Sequence, residues 1–330
     1  ERSESVRAYQ EFLIGLSSLT VAAKNHSIVN GLVSHIEQRN DVDSEVPCVM
    51  IIALVEGRYK VSIPFDEFYQ KNPIDMATVN METKAGREEY VNRCATMAAK
   101  LYSLNVPMVI TTIQVDESTD AEAGVPAYVI VASRKAALDI IEETNYGDRP
   151  DGDGPRIQEG DFVRAQITSV ARDSIAVVVG GVDTRVPLHA LTFEYLVDAR
   201  TKYKVGQEIM VQVEQIIKEK DGHHIVEVNC KQPELERAKQ MRSALPIGSI
   251  VFGIVSSVAA SKKQPGNINV LAYIKMYDLP VLVNNMPAKF LGSEPPRGST
   301  VRLKVLNYLD NGMILCRCIG TQGPMNFPNA

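Results

Sequence analysis

The sequence predicts an all-β chain with short helices, folded as three five-stranded barrels in series. Three observations carry this. A short alternating segment recurs as GLVSHIE (31–37), AQITSVA (165–171) and GIVSSVA (253–259). Each copy is followed by four further runs rich in β-branched residues. A turn containing glycine (Gly124, Gly222, Gly312) precedes the last run of each set. A five-run unit repeated three times points to small barrels rather than one large sheet.

Residues 1–20 place Val6, Phe12, Leu13, Leu16 and Leu19 on a helical stripe. This segment either caps the first barrel or binds a partner, a second copy of the chain included. The first strands alternate polar and apolar positions, as half-buried strands do. Their equivalent core positions are Val33 and Ile36, Ile167 and Val170, Val255 and Val258. Second strands follow at CVMIIALVEG (48–57), SIAVVVGG (174–181) and NINVLAYIK (267–275), and third strands at YKVSIP (59–64), DTRVPL (183–188) and LPVLVN (279–284). Fourth strands lie at 106–116, 206–218 and 298–310, and fifth strands at 127–133, 223–229 and 312–318.

The copies differ where loops belong. Extra residues fall at 38–47 and 260–266, hairpin tips where insertion costs little. In copy one, 84–104 reads as a helix with Tyr90, Cys94, Met97, Ala98 and Leu101 on one side. NYGDRPDGDGPR (145–156) reads as a linker. Residues 233–245 read as a short helix entered at Pro233, and 320–330 as an extended arm. The expected units are a helical segment at 1–27, barrels at 28–145, 156–235 and 246–320, and a tail at 321–330.

Composition narrows the function. The 330 residues are 45% hydrophobic, with no Trp and 6% aromatics. The apolar stretch 12–23 is too short to cross a bilayer and has no basic leader, which argues against a transmembrane or secreted chain. The chain opens on Glu, which leaves its natural start open. Five cysteines in no CxxC arrangement read as free thiols in a reducing cytoplasm. The net charge of −5 argues against sequence-blind duplex DNA binding. Residues 246–330 nevertheless carry 8 basic and 3 acidic side chains, net +5, which suits a local anion-binding surface.

The strand pattern resembles the S-one RNA-binding domain, the OB-fold repeat of bacterial ribosomal protein S-one. The second copy carries most of it, in GDFVRAQITSV (160–170), VPLHAL (186–191) and KVGQEIMVQV (204–213). ASRKAA (132–137) is similar to that family's closing strand, and the wider layout over 28–320 is similar to S-one-like proteins of phages and mobile elements of Gram-positive bacteria. The resemblance implies three five-stranded OB-fold barrels and a non-enzymatic protein that binds single-stranded RNA or a ribonucleoprotein such as the ribosome. It matches His189 to the family's strand-three histidine. The family places base-stacking aromatics on strands two and three, where the second copy has none.

Recognition of single strands needs flat side chains for stacking and cations along the backbone. The candidates in copy two are His189, Phe193, Lys202, Tyr203 and Lys204; those in copy three are Lys262, Lys263, Tyr273, Lys275, Arg302 and Lys304. Tyr273 and Lys275, and likewise Arg302 and Lys304, alternate on one strand face. The plain alternative is an ordinary solvated surface. His223-His224 reads as two surface histidines rather than a metal site, since ligand spacing is lacking. Glu88-Glu89 and Glu142-Glu143 read as solvated helix faces. No nucleotide-binding or hydrolase motif is present, so neither enzyme nor cofactor is expected. The rival to RNA binding is a virion or protein-interaction module that keeps the barrels without RNA.

Overall fold

The structure is a computed structural model that describes residues 2–39, 48–116, 127–149, 152–262, 264–287 and 295–322. Gly124, Lys263, most of the 38–47 insertion and residues 323–330 of the expected arm lie outside the described residues.

Barrel one contains β1 (Ile28–Arg39), β2 (Cys48–Val55), β3 (Tyr59–Pro64), β4 (Asn105–Asp116) and β5 (Ala127–Ser133). Barrel two contains β6 (Phe162–Val170), β7 (Ser174–Val179), β8 (Val182–Pro187), β9 (Glu208–Lys218) and β10 (His224–Asn229). Barrel three contains β11 (Ile250–Ala260), β12 (Asn267–Ile274), β13 (Leu279–Pro287), β14 (Thr300–Tyr308) and β15 (Ile314–Gln322). Five helices join or cover them: α1 (Arg2–Lys24), α2 (Lys84–Ala98), α3 (Arg134–Tyr146), α4 (Leu188–Leu191) and α5 (Gln232–Gln240).

Strand order in barrels one and three is 1-2-3-5-4 and in barrel two 5-4-1-2-3, with strands one and four paired in all three. Barrels one and three close through a parallel pairing of strands three and five, at Ser62↔Val131 and at Val281↔Ile314. In barrel two β8 and β10 form no ladder. A side-chain bond crosses that seam, from Thr184 Oγ1 to the Val226 carbonyl at 2.8 Å.

The threefold pattern extends to the backbone. Strand one of each barrel carries a β-bulge just after a fully buried residue, Val33, Ile167 or Val255. That residue exchanges two backbone bonds with the entry to strand four: Val33 with Ser103 and Leu104, Ile167 with Gly206 and Gln207, Val255 with Gly298 and Ser299. The donor to its carbonyl has positive φ in every case: Ser103 63°, Gly206 84° and Gly298 80°. Glycine adopts this conformation without penalty. Ile36, Val170 and Val258, three residues on, are half-buried and pack against the same cores.

The helices weld the barrels. On α1, Phe12, Leu16 and Leu19 are buried against barrel one, and Phe12 packs on the rings of Tyr59 and Tyr128. Leu13 is exposed. The α2 stripe buries Cys94 and Ala98, and Leu101 just beyond it, with Tyr90 and Met97 half-buried. Two features differ from the sequence reading. Of the segment 132–137 only Ala132 and Ser133 belong to the closing strand β5; Ser133 Oγ accepts from the Ala136 amide and caps α3, which takes the rest. The 145–156 linker is also shorter at its start, since α3 runs into barrel two. There Tyr146 lies in the barrel-two core and its hydroxyl donates to the Val179 carbonyl at 2.9 Å. The second connection is α5, with Pro233 in its first turn and Leu235 and Ala238 buried.

Candidate nucleic-acid interface

OB barrels take ligands on the face of strands two and three and on the loops after strands one and four. In barrel two these elements line a cleft of about 430 Å³ beside the β8/β10 seam. Its floor includes Ala176 of β7 and Arg185 of β8, which are cross-strand partners. Its rim includes Ala171 and His223 from the two loops, and exposed Ile225 of β10. Barrel one supplies the opposite wall through Tyr69, Gln70, Lys71 and Pro73. The flat side chain that β7 and β8 lack is thus offered from another barrel, by Tyr69, which packs edge-on to Phe68. Burial pushes the Tyr69 hydroxyl up to about 12, so it stays protonated and able to donate.

The cleft is nearly balanced in charge. Lys71 pairs with Glu219 at 2.8 Å, and this partner raises its pKa. Arg185 is mostly exposed; it donates to Ser174 Oγ at 2.7 Å and lies 3.5 Å from Asp173. Behind the cleft Glu142 is buried. Its Oε1 accepts from the His224 amide at 2.6 Å and from His224 Nδ1 at 2.9 Å; its Oε2 accepts from Gln70 Nε2 at 3.0 Å and lies 3.3 Å from His223 Nδ1. Two sequence readings are corrected here: His224 is buried rather than on the surface, and Glu142 is no solvated helix residue. The available signal was the α3 stripe Arg134, Leu138, Glu142 and Tyr146, four residues apart and all buried. Asp139, Glu142 and His223 bring ligand-type atoms within 4.8 Å of one another, but both Glu142 oxygens already accept hydrogen bonds.

The structure brings several sequence candidates together, though between barrels two and three rather than on an open face. Lys202 lies 2.8 Å from Glu194 Oε2 and 5.5 Å from the Tyr273 ring centroid. Lys275 reaches the other Glu194 oxygen at 3.9 Å. Tyr273 is 1% exposed and donates to Asp278 Oδ1 at 2.6 Å. Phe193 is half-buried, with Lys231 Nζ 5.1 Å from its ring centroid, and its amide donates to Glu234. Tyr203 is buried in the barrel-two core. The rings of Tyr203 and Tyr273 are therefore not offered to a base. Lys275 does not share a strand face with Tyr273, because β12 ends at Ile274 and Lys275 begins the turn. His189 on α4, Lys204 and Lys262 in loops, and Arg302 and Lys304 on β14 are exposed.

Residues 156–224 match the S1 RNA binding domain, the S-one type, and this supports a nucleic-acid-binding role. No curated protein sequence matches the chain. Among the solved structures similar to parts of it are three. One is the a/eIF2alpha–aDim2p–rRNA complex from Pyrococcus horikoshii, at 16% identity over 26% of this chain, with a TM-score of 0.21. The match spans 56% of that Pyrococcus chain. Another is a multidomain protein with nucleic acid binding domains from Streptococcus pneumoniae, at 11% identity over 88% of this chain and 72% of that one, with a TM-score of 0.21. The third is Drosophila Unr CSD456, at 11% identity over 90% of this chain and 96% of that one, with a TM-score of 0.17. No helix among the described residues is long and apolar enough to cross a membrane.

Proposed function

We propose that the protein is a non-enzymatic factor that binds single-stranded RNA through tandem OB barrels, with the barrel-two cleft as a principal site. The observation that carries this is the S1 RNA binding domain match over 156–224, the stretch that supplies β6 to β9 and the floor of the cleft. Arg185 is the cation on that floor, and Tyr69 and Ile225 are the flat and apolar surfaces beside it. His189, Lys204, Lys262 and Lys275 are exposed cations or rings that would extend the track. The units are 28–145, 156–235 and 246–320, with 1–27 as a capping segment and 321–330 as a tail. A cytoplasmic setting, a ribosome or other ribonucleoprotein partner, and a phage or mobile-element origin belong to the same reading.

The test is binding of fluorescein-labelled single-stranded RNA by anisotropy at low salt, together with the absorbance ratio of the purified protein. The intact protein should bind, and Arg185→Gln should weaken binding. Absence of binding at low salt would instead support a protein-interaction or virion module. The burial of Tyr203 and Tyr273 and the paired charges of the cleft favour that second reading.

A further inference from the structure

Barrel three carries a second surface of different chemistry. Its β11, β14 and β15 lie side by side, and their outward residues face solvent. On β14 these are Arg302, Lys304 and Leu306, and on β11 Ile250 and Phe252, the latter 53% exposed. On β15 they are Arg317 and Ile319. The register sets Phe252 directly opposite Arg302, and sets Lys304 opposite Ile250 on one side and Arg317 on the other. Opposed side chains on one face stand about 4.5–5.5 Å apart at Cβ.

Three features separate this face from an ordinary solvated sheet. Arg302, Lys304 and Arg317 have no ion-pair or hydrogen-bond partner among the described residues, and none of the three strands contains an Asp or Glu. Like charges directly opposite, as at Lys304 and Arg317, destabilise a sheet unless something anionic neutralises them. The equivalent face of barrel one is covered in part. Aligning the pairs Gly31↔Val106 and Gly253↔Val301 places Val109 of barrel one at the position of Lys304. Val109 is buried, and α3 packs on β4 there. On barrel two the equivalent residues Phe162, Arg164 and Met210 are exposed, but Arg164 lies 3.6 Å from Glu208, so its charge is paired. Among the described residues no helix follows β15, and the face that α3 covers on barrel one is cationic here, with the exposed Phe252 ring opposite Arg302.

We infer that the β11–β14–β15 face is a second binding platform for single-stranded RNA, distinct from the barrel-two cleft and from the strand-two and strand-three side of barrel three. Phe252 is the stacking residue, and Arg302, Lys304 and Arg317 contact successive phosphates. The partner is assigned by charge complementarity and by the pairing of an exposed ring with unpaired cations on rigid strands. The identity of the partner as RNA rests on the proposed function above.

The experiment uses the full chain and a labelled 12-nucleotide single-stranded RNA, with anisotropy measured across a salt series. Each single-strand phosphate contact contributes about −0.7 to the slope of log affinity against log salt. The triple variant Arg302→Gln, Lys304→Gln, Arg317→Gln should therefore show a slope shallower by about 2. Phe252→Ala should weaken binding about 5- to 150-fold with the slope unchanged, since stacking releases no counterions. The substituted side chains are on the surface, and a thermal melt checks that each variant folds; Lys304→Gln alone, at about 0.7 of slope, serves if the triple does not. If the intact protein and the triple variant bind alike while Arg185→Gln binds poorly, the platform is refuted and the proposed function stands. A change of oligomeric state in the triple variant, with RNA affinity unaltered, would assign the face to a second copy of the chain and also refute it. If the intact protein binds no RNA at low salt, both readings fall.

Discussion

Replacing Glu142 by Ala should loosen barrel two from barrel one. The side chain is 5% exposed and reaches from α3, the end of barrel one, to the start of β10 in barrel two. Alanine would strand two buried donors, the His224 amide and its Nδ1–H, which now meet Oε1 at 2.6 and 2.9 Å. Water can enter the cleft and replace the acceptor for Gln70 and His223, but not for buried His224. Each stranded buried donor costs about 1–3 kcal/mol, so the loss should be about 2–6 kcal/mol. In a domain of this size each kcal/mol moves the melting temperature by about 4–8 °C, and the barrel-two transition should fall by at least about 8 °C. Scanning calorimetry resolves the transition, and hydrogen exchange at the β10 amides locates it. Glu142→Gln keeps an acceptor for the His224 amide and should lose clearly less. A Glu142→Ala protein that melts within about 2 °C of the native one, with β10 exchange unchanged, would refute the reasoning.

Gly222 and Gly312 precede the fifth strands of barrels two and three with φ of 94° and 96°. A Cβ on Gly222 meets nothing within 4 Å, whereas one on Gly312 would lie 2.4 Å from the Leu235 carbonyl oxygen of α5. Gly312→Ala should therefore lower the melting temperature well beyond Gly222→Ala, which carries the backbone strain alone; equal shifts would show that α5 yields freely. Glu37 is held at about 2 by the Lys60 ammonium first and the Arg39 guanidinium second, below its ordinary 4.5. Because the folded value is the lower one, its stabilisation is complete above about pH 4.5 and is lost as pH falls through about 2. A Glu37→Gln protein should lose less stability than the native one across that window in acid titrations followed by circular dichroism. Burial pushes the Cys94 thiol up to about 11 and those of Cys230 and Cys316 up to about 12, while Cys48 is exposed. A thiol-specific chromogenic reagent at pH 8 should label Cys48 rapidly and the other four only in denaturant, with mass spectrometry assigning the site.

Much of the fold was legible along the chain because strand patterning is local. Alternation at 31–37, 165–171 and 253–259 places Val33, Ile167 and Val255 inward whatever lies beyond, and a hairpin tip marked by Gly222 or Gly312 needs a positive φ that neighbouring residues do not alter. The net basic third copy was equally visible, since charge counting needs no coordinates. The tertiary structure decided which charges and rings are free. Phe193 and Lys202 of copy two and Tyr273 of copy three read as binding residues in sequence, yet Glu234, Glu194 and Asp278 neutralise or enclose them, and Lys202 reaches the Tyr273 ring across the junction of barrels two and three. Phe252 and Arg317 carry no pattern of their own along the chain, and only the register of β11, β14 and β15 sets them beside Arg302 and Lys304. Tyr69 meets barrel two from more than 100 residues away in the chain. Period and turn chemistry act between neighbours in sequence, while availability for a ligand depends on what long-range packing places against each side chain.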